Sequence, residues 1–232
     1  MRAEQRTTPV EHIAHRGAKR ELPENTLGAF RRAFERGADA IELDVHATRD
    51  GVVVIHHDPE LGRSFGPLAG RAIAGLDWSA LGTVEIAEEL AVPTLAQLLA
   101  VMPTRVTAYV ELKGDGIERL VADVVRASSA RCAVHSFDHE AIHRLREIAP
   151  EIPRGILLDV LPDDLDSAIA ATGARDVWPN WRLIDAALVD QIHASGARVI
   201  AWTVNGRAVA EDLVAAGVDG LCTDDVRLLD GL

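Results

Sequence analysis

From residue 12 to residue 225 the sequence alternates between short runs that suit a β-strand and longer runs with the 3.6-residue spacing of an amphipathic helix. The strand-like runs are "HIAHRG", "AIELDV", "VTAYVELKG", "CAVHSF", "RGILLD", "DVWPNW", "RVIAWTVN" and "GLCTDD". Of the helical runs, "ENTLGAFRRAFERGAD" sets Leu27, Phe30 and Phe34 on one face with Gly37 as its stop, and "VPTLAQLLAVMP" offers Thr94 as N-cap. Strands separated by helices pair in parallel. Eight such units in 232 residues imply a closed (β/α)8 barrel of the TIM type rather than an open, doubly wound sheet. No linker or low-complexity tract interrupts the alternation, so one domain is expected over residues 1–232, with its core at about 10–228.

Composition narrows the function. The net charge of −12 comes with no basic stripe, which argues against nucleic acid as a partner. No run is long and apolar enough for stable membrane insertion, and the polar start "MRAEQRTTPVEH" lacks the apolar segment of a secretory signal. A cytoplasmic protein without an obligate protein partner is expected. Cys132 and Cys222 are too few for a zinc or disulfide framework and read as small buried hydrophobes.

Barrel active sites sit where the strands end, and there the polar residues collect. Residues two apart on a strand share a face. Glu42 and Asp44 therefore point one way and Ile41, Leu43 and Val45 the other; Glu111 and Lys113 are likewise opposed to Val110 and Leu112. With the branched residues turned out to the helices, the acids and the lysine face the barrel interior. Three carboxylates at one mouth repel each other unless something positive intervenes, and all-oxygen donors suit Mg²⁺ or Ca²⁺. Zinc fits the donors less well, although His15, His46 and His57 lie near; simple ion pairing with Lys113 and Arg16 is the competing explanation. His15 and His57 at one mouth can supply a general acid and a general base, and Arg16 and Lys113 suit a phosphate. Trp202 can wall the pocket or merely pack. His12, His139, His143 and His193 read as ordinary surface or helix residues.

Two adjacent histidines, His56 and His57, compete for the catalytic position. Asp50-Gly51 signals a hairpin. A two-residue turn would pair His46 with Ile55, Val45 with His56 and Asp44 with His57, sending His57 to the side of the acids. A three-residue turn with a bulge would instead put His56 opposite Asp44.

The run "IAHRGAKRELPENTLGAFRRAFERGADAIELDVHATRDGVVVIHHD" resembles the N-terminal signature of the glycerophosphodiester phosphodiesterases. "YVELKG", "VHSFDHEAIHRLREIAP", "VIAWTVN" and "AAGVDGLCTDD" resemble the family's later blocks in the same order. The resemblance implies a barrel of the phospholipase-C-like phosphodiesterase type. Its members hydrolyse small glycerophosphodiesters to sn-glycerol 3-phosphate and an alcohol with one divalent cation, through water or through the substrate's own 2-hydroxyl. It also implies roles: His15 and His57 as the acid/base pair, Glu42, Asp44 and Glu111 as metal ligands, Arg16 and Lys113 on the phosphate, and Trp202 beside the glycerol. The sequence departs from the pattern in carrying His56 before His57 and in "PELGRSFGPLAG" after Asp58. Two other functions share these residues. A phospholipase-like activity on lipid phosphodiesters such as lysophospholipids calls for an exposed apolar rim, which the loop sequences do not display. A phosphate-binding barrel without turnover would lack a histidine or an acid, and none is missing.

Overall fold

The computed structural model describes residues 9–81 and 91–232. Its strands are β1 (Glu11–His15), β2 (Ala40–Ala47), β3 (Val53–Ile55), β4 (Thr107–Leu112), β5 (Arg131–Ser136), β6 (Arg154–Leu158), β7 (Asp176–Pro179), β8 (Arg198–Ala201) and β9 (Gly220–Thr223). All but β3 run parallel, in the order β1-β2-β4-β5-β6-β7-β8-β9, and β9 pairs back onto β1 to close the barrel. These are the eight strands read from the sequence. The α-helices are α1 (Leu27–Glu35), α2 (Trp78–Leu81), α3 (Leu95–Val101), α4 (Glu118–Arg126), α5 (His139–Ile148), α6 (Leu165–Thr172), α7 (Ala186–Ala194) and α8 (Arg207–Ala216). Thr94 caps α3 as expected, in a reciprocal capping box with Gln97.

Strand alternation divides the core in two. Ile41, Leu43, Val45, Val110 and Leu112 face outward into the layer between barrel and helices, with Phe30, Leu98 and Val121. Inside the barrel, Ile13, Ala40, Tyr109, Ala133, Leu157, Trp178, Ile200 and Cys222 pack together. Burying each of the larger side chains contributes roughly 1.5–3 kcal/mol. The filled interior makes this barrel a solid floor beneath its mouth rather than a pore. Cys222 is buried as expected, whereas Cys132 is only partly so.

The hairpin departs from the two-residue register. β3 pairs antiparallel with β2 as Val45–Ile55, His46–Val54 and Ala47–Val53, one residue short of that expectation. Thr48 is the cause. Its amide and the Val52 carbonyl are joined at 2.9 Å, its hydroxyl accepts from the Val52 amide at 3.0 Å, and three residues, ending in Gly51 at φ +83°, form the turn. This is the bulged alternative. The His56 amide accordingly donates to the Asp44 carbonyl at 3.0 Å. The pairing stops at Ile55, so strand alternation no longer dictates where His56 and His57 point.

Candidate active site and metal centre

At the end of β1, His15 is followed by Arg16 at φ +57° and Gly17 at φ +83°. A Cβ at Gly17 would lie 2.7 Å from the backbone of Ala29, so only glycine lets this turn approach the start of α1 so closely. Asn25, just before α1, is also left-handed (φ +57°), and its amide donates to Asp44 Oδ2 at 2.8 Å. Two non-glycine residues held in a sparsely populated region on one side of a mouth mark a place the surrounding structure over-determines.

Glu42 and Asp44 project from β2 and Glu111 from β4, and all three are buried; Asp44 and Glu111 are register partners across the two strands. One carboxylate oxygen from each lies within 4.8 Å of the others. Arg16 Nε reaches Asp44 Oδ2 at 3.1 Å, and Lys113 Nζ lies 3.0 Å from Glu111 and 3.8 Å from Asp44. These pairs are real, so ion pairing accounts for part of the cluster. It does not account for all of it, because Glu42 Oε2 and Asp44 Oδ1 remain buried without a hydrogen bond. Burial first, and then the neighbouring carboxylates, push Glu42 and Glu111 up to about 7. Burial acts the same way on Asp44, but Arg16 and Asn25 outweigh it and hold Asp44 below the usual range. Orphaned buried oxygens, hard donors and mutual repulsion are the conditions a divalent cation relieves. The three acids fit such an ion.

His15 and His57 line the cavity above this cluster, a space of about 290 Å³ shared with Arg16, Glu42, Glu111 and Lys113. His57 therefore lines the cavity, although by a route other than the two-residue register. His57 enters because the chain leaves the sheet at His56, and the buried His46 ring bonds the His57 carbonyl at 3.1 Å. That engagement keeps His46 out of the acid cluster. His56 turns away, edge-on to Phe65 with ring centroids 5.6 Å apart. Trp202 is in the cavity wall, its Nε1 donating to the Trp178 carbonyl at 2.7 Å.

Two residues near the reaction chamber were not singled out by the sequence. Asp224, after β9, meets His15 Nδ1 at 2.6 Å and accepts from Asn205 at 2.7 Å. Burial raises its pKa, but the His15 hydrogen bond and charge, Lys19 and Asn205 bring it down to about 2. His135, level with Glu111 on β5, is buried in the cavity floor with no hydrogen bond to either ring nitrogen. Its Nε2 lies 3.8 Å from Glu42, and burial, only partly offset by the acids, lowers its pKa to about 4. The alternation Ala133-His135-Phe137 on "CAVHSF" was the available signal for it. The structure also corrects the expectation of no apolar rim: Phe137, Val160 and Leu161 are 43%, 74% and 46% exposed, beyond the ends of β5 and β6.

Comparison with known proteins follows the geometry. The model of the glycerophosphoryl diester phosphodiesterase family matches residues 15–228. A glycerophosphodiester phosphodiesterase of Caldanaerobacter subterraneus is 30% identical, over 95% of this chain and 96% of its own. A putative glycerophosphodiester phosphodiesterase of Bacillus subtilis is 32% identical over 94% and 97%. Among solved structures, an Oleispira antarctica phosphodiesterase in complex with the product sn-glycerol-3-phosphate superposes with a TM-score of 0.85 at 25% identity, covering 96% of both chains. With the family model matching residues 15–228 and a relative 30% identical over nearly the full length of both chains, the chain belongs to the glycerophosphoryl diester phosphodiesterase family.

Proposed function

We propose that this protein, as one barrel domain, hydrolyses small glycerophosphodiesters to sn-glycerol 3-phosphate and an alcohol in the cytoplasm, with Mg²⁺ or Ca²⁺ and without an obligate partner. The observation that carries the reading is the shared cavity, in which His15 and His57 stand with Arg16, Lys113, Glu42 and Glu111, the last two belonging to the buried three-acid cluster completed by Asp44. Membership of the family and the product complex of the Oleispira relative support it. Among the described residues no helix is long and apolar enough to cross a membrane.

In this mechanism Glu42, Asp44 and Glu111 would hold the cation, which would supply positive charge to the phosphoryl group when bound. Lys113 and Arg16 add fixed charge on the same group, desolvated enough for it to count. Arg16 is positioned by Glu24, which accepts its Nη1 at 2.8 Å, and by Asp44. His15 gives its Nδ1–H to Asp224, which leaves Nε2, on the side of Glu42, to take or give a proton. His57 bears the same relation to Asp58, with Nδ1 to Oδ1 at 2.8 Å. One histidine removes the proton of the attacking oxygen, of water or of the glycerol 2-hydroxyl, and the other protonates the departing alcohol.

The test is release of glycerol 3-phosphate from glycerophosphocholine and glycerophosphoethanolamine, with and without chelator. Cation-dependent release that disappears in His57→Asn is expected. Full release in excess chelator, or an active His57→Asn, contradicts the reading.

A further inference from the structure

The floor of the cavity is largely apolar. Leu157, Trp178 and Cys222 reach the lining from the interior core of the barrel, and all three are buried. The strong hydrogen-bonding group set among them is His135, buried as deeply at the inner face of β5. Neither of its ring nitrogens has a hydrogen bond. Nε2 lies on the side of Glu42, but 3.8 Å is too long for a bond between them. The ring itself is fixed. It packs edge-on to Trp178, with centroids 4.4 Å apart, and beside Tyr109 at 6.3 Å. Trp178 Nε1 is also without a hydrogen bond, but that edge of the indole is turned to Gly155, where a Cβ would come within 3.2 Å of it. A buried polar group left unpaired is costly in a native structure, and one that borders a cavity is satisfied by what enters it.

We infer that His135 binds the terminal hydroxyl of the glycerol unit, and so selects a polyol over a simple alkyl group on the phosphate. The inference rests on the phosphodiesterase reading and names the part of the substrate that this residue reads. Depth decides which hydroxyl. The side chains of Arg16 and Lys113, on the phosphate, are 16% and 23% exposed and stand nearer the opening than that of His135, at 2%. With the phosphate held between them, the carbon farthest from phosphorus is the one that reaches the floor. The 2-hydroxyl, one carbon nearer, stays level with the acids and with His15 and His57. An imidazole suits a hydroxyl because one ring carries both a donor and an acceptor, as the hydroxyl does. The choline end of a substrate has neither an N–H nor an O–H to offer, so it leaves this ring unsatisfied. Two other roles are open to His135, packing against Trp178 and support of Glu42 as a cation ligand. Either of these acts on all substrates alike, which separates them from recognition of one hydroxyl.

The experiment compares kcat/KM for glycero-3-phosphocholine and 2-hydroxypropyl phosphocholine, the same molecule without its terminal hydroxyl, in the cation-loaded wild type and in His135→Phe. Phenylalanine keeps the aromatic contacts and removes both nitrogens. The wild type should prefer glycero-3-phosphocholine at least ~10-fold, the scale of a buried partner left unpaired. His135→Phe should bring that ratio to within about twofold of unity, chiefly through lost activity on glycero-3-phosphocholine. Should the phenylalanine variant not fold, His135→Met is read in the same way, and the wild-type ratio stands in either case. A wild type that does not distinguish the two compounds overturns the inference while leaving the phosphodiesterase reading intact. So does a variant that keeps the wild-type ratio, whether or not both rates have fallen. A wild type that cleaves neither compound overturns both.

Discussion

The barrel buries charge at both ends, and the two ends are solved differently. At the bottom, Glu11, Asp176, Arg175 and Arg198 form a closed set: Arg175 Nε donates to Asp176 at 2.9 Å, Arg198 reaches Asp176 at 3.3 Å and also bonds Glu11, and the Tyr109 hydroxyl donates to Glu11 at 2.8 Å. Two acids meet two arginines and the formal charge is zero. At the mouth, leaving out the exposed Asp58, five carboxylates (Glu24, Glu42, Asp44, Glu111, Asp224) meet three cations (Arg16, Lys19, Lys113), which leaves a formal −2 with the acids ionised and the histidines neutral. Asp176 Oδ1 is left without a hydrogen bond, but the Arg198 charge stands 3.3 Å from it and the bottom is neutral, whereas the mouth lacks the charge of one divalent ion. Buried charge marks a site when it is unbalanced, and a structural clamp when it is not.

The largest effect that separates the two ends is on catalysis. His57→Asn should abolish turnover, with fold and cation binding retained, as read by product release and by cation-dependent Tm. An equally dead variant of the bottom cluster would break the distinction. Asp176→Asn should instead destabilise by about 3 kcal/mol in urea unfolding, because it leaves partly exposed arginines against a lost buried partner, with kcat of the folded protein unchanged. Lys113→Ala should lower kcat/KM by about 2–4 kcal/mol in transition-state terms, the scale of a lost electrostatic donor. Wild-type kinetics in that variant would reduce Lys113 to an ion-pair partner.

Proton linkage sharpens the comparison further. Glu42 and Glu111 are raised to about 7, so between the ordinary carboxylate range and pH 7 the folded, cation-free protein holds protons that the unfolded chain has released. Its stability should therefore fall as pH rises through that window. A cation displaces those protons, so its affinity and its stabilising effect should be greater at pH 8 than at pH 6. Melting curves with and without Mg²⁺ at the two pH values read both signs; an equal Mg²⁺ shift at each would contradict the buried-acid assignment. The smallest expected effect is His56→Asn, which loses an edge contact with Phe65 and changes kcat/KM several-fold at most, seen in the same product assay.

Most of the fold was legible because period-2 apolar runs and capped helices are local signals. Thr94 at the start of α3, and the Glu42/Asp44 face of β2, are examples. The site was legible where its residues share a strand and obscure where they meet only in three dimensions. Asp224 finds His15 across 209 positions, and no spacing rule joins them. The hairpin register failed for a local reason: the Thr48 hydroxyl organises the turn, bonding Asp50 at 2.6 Å, while Asp50 also accepts from the Trp78 amide. A residue pair read as a two-residue turn was in fact part of a side-chain-built one. The exposed strip at Phe137, Val160 and Leu161 escaped because it is assembled from two loops, neither apolar by itself.

The imbalance at the mouth is tested most directly by titrating chelator-stripped protein with Mg²⁺ or Ca²⁺ in a calorimeter, alongside Glu42→Gln/Glu111→Gln. The account predicts one cation per wild-type chain and no binding in the double variant. Stripped protein that binds no cation, or a double variant that binds as the wild type does, would contradict it.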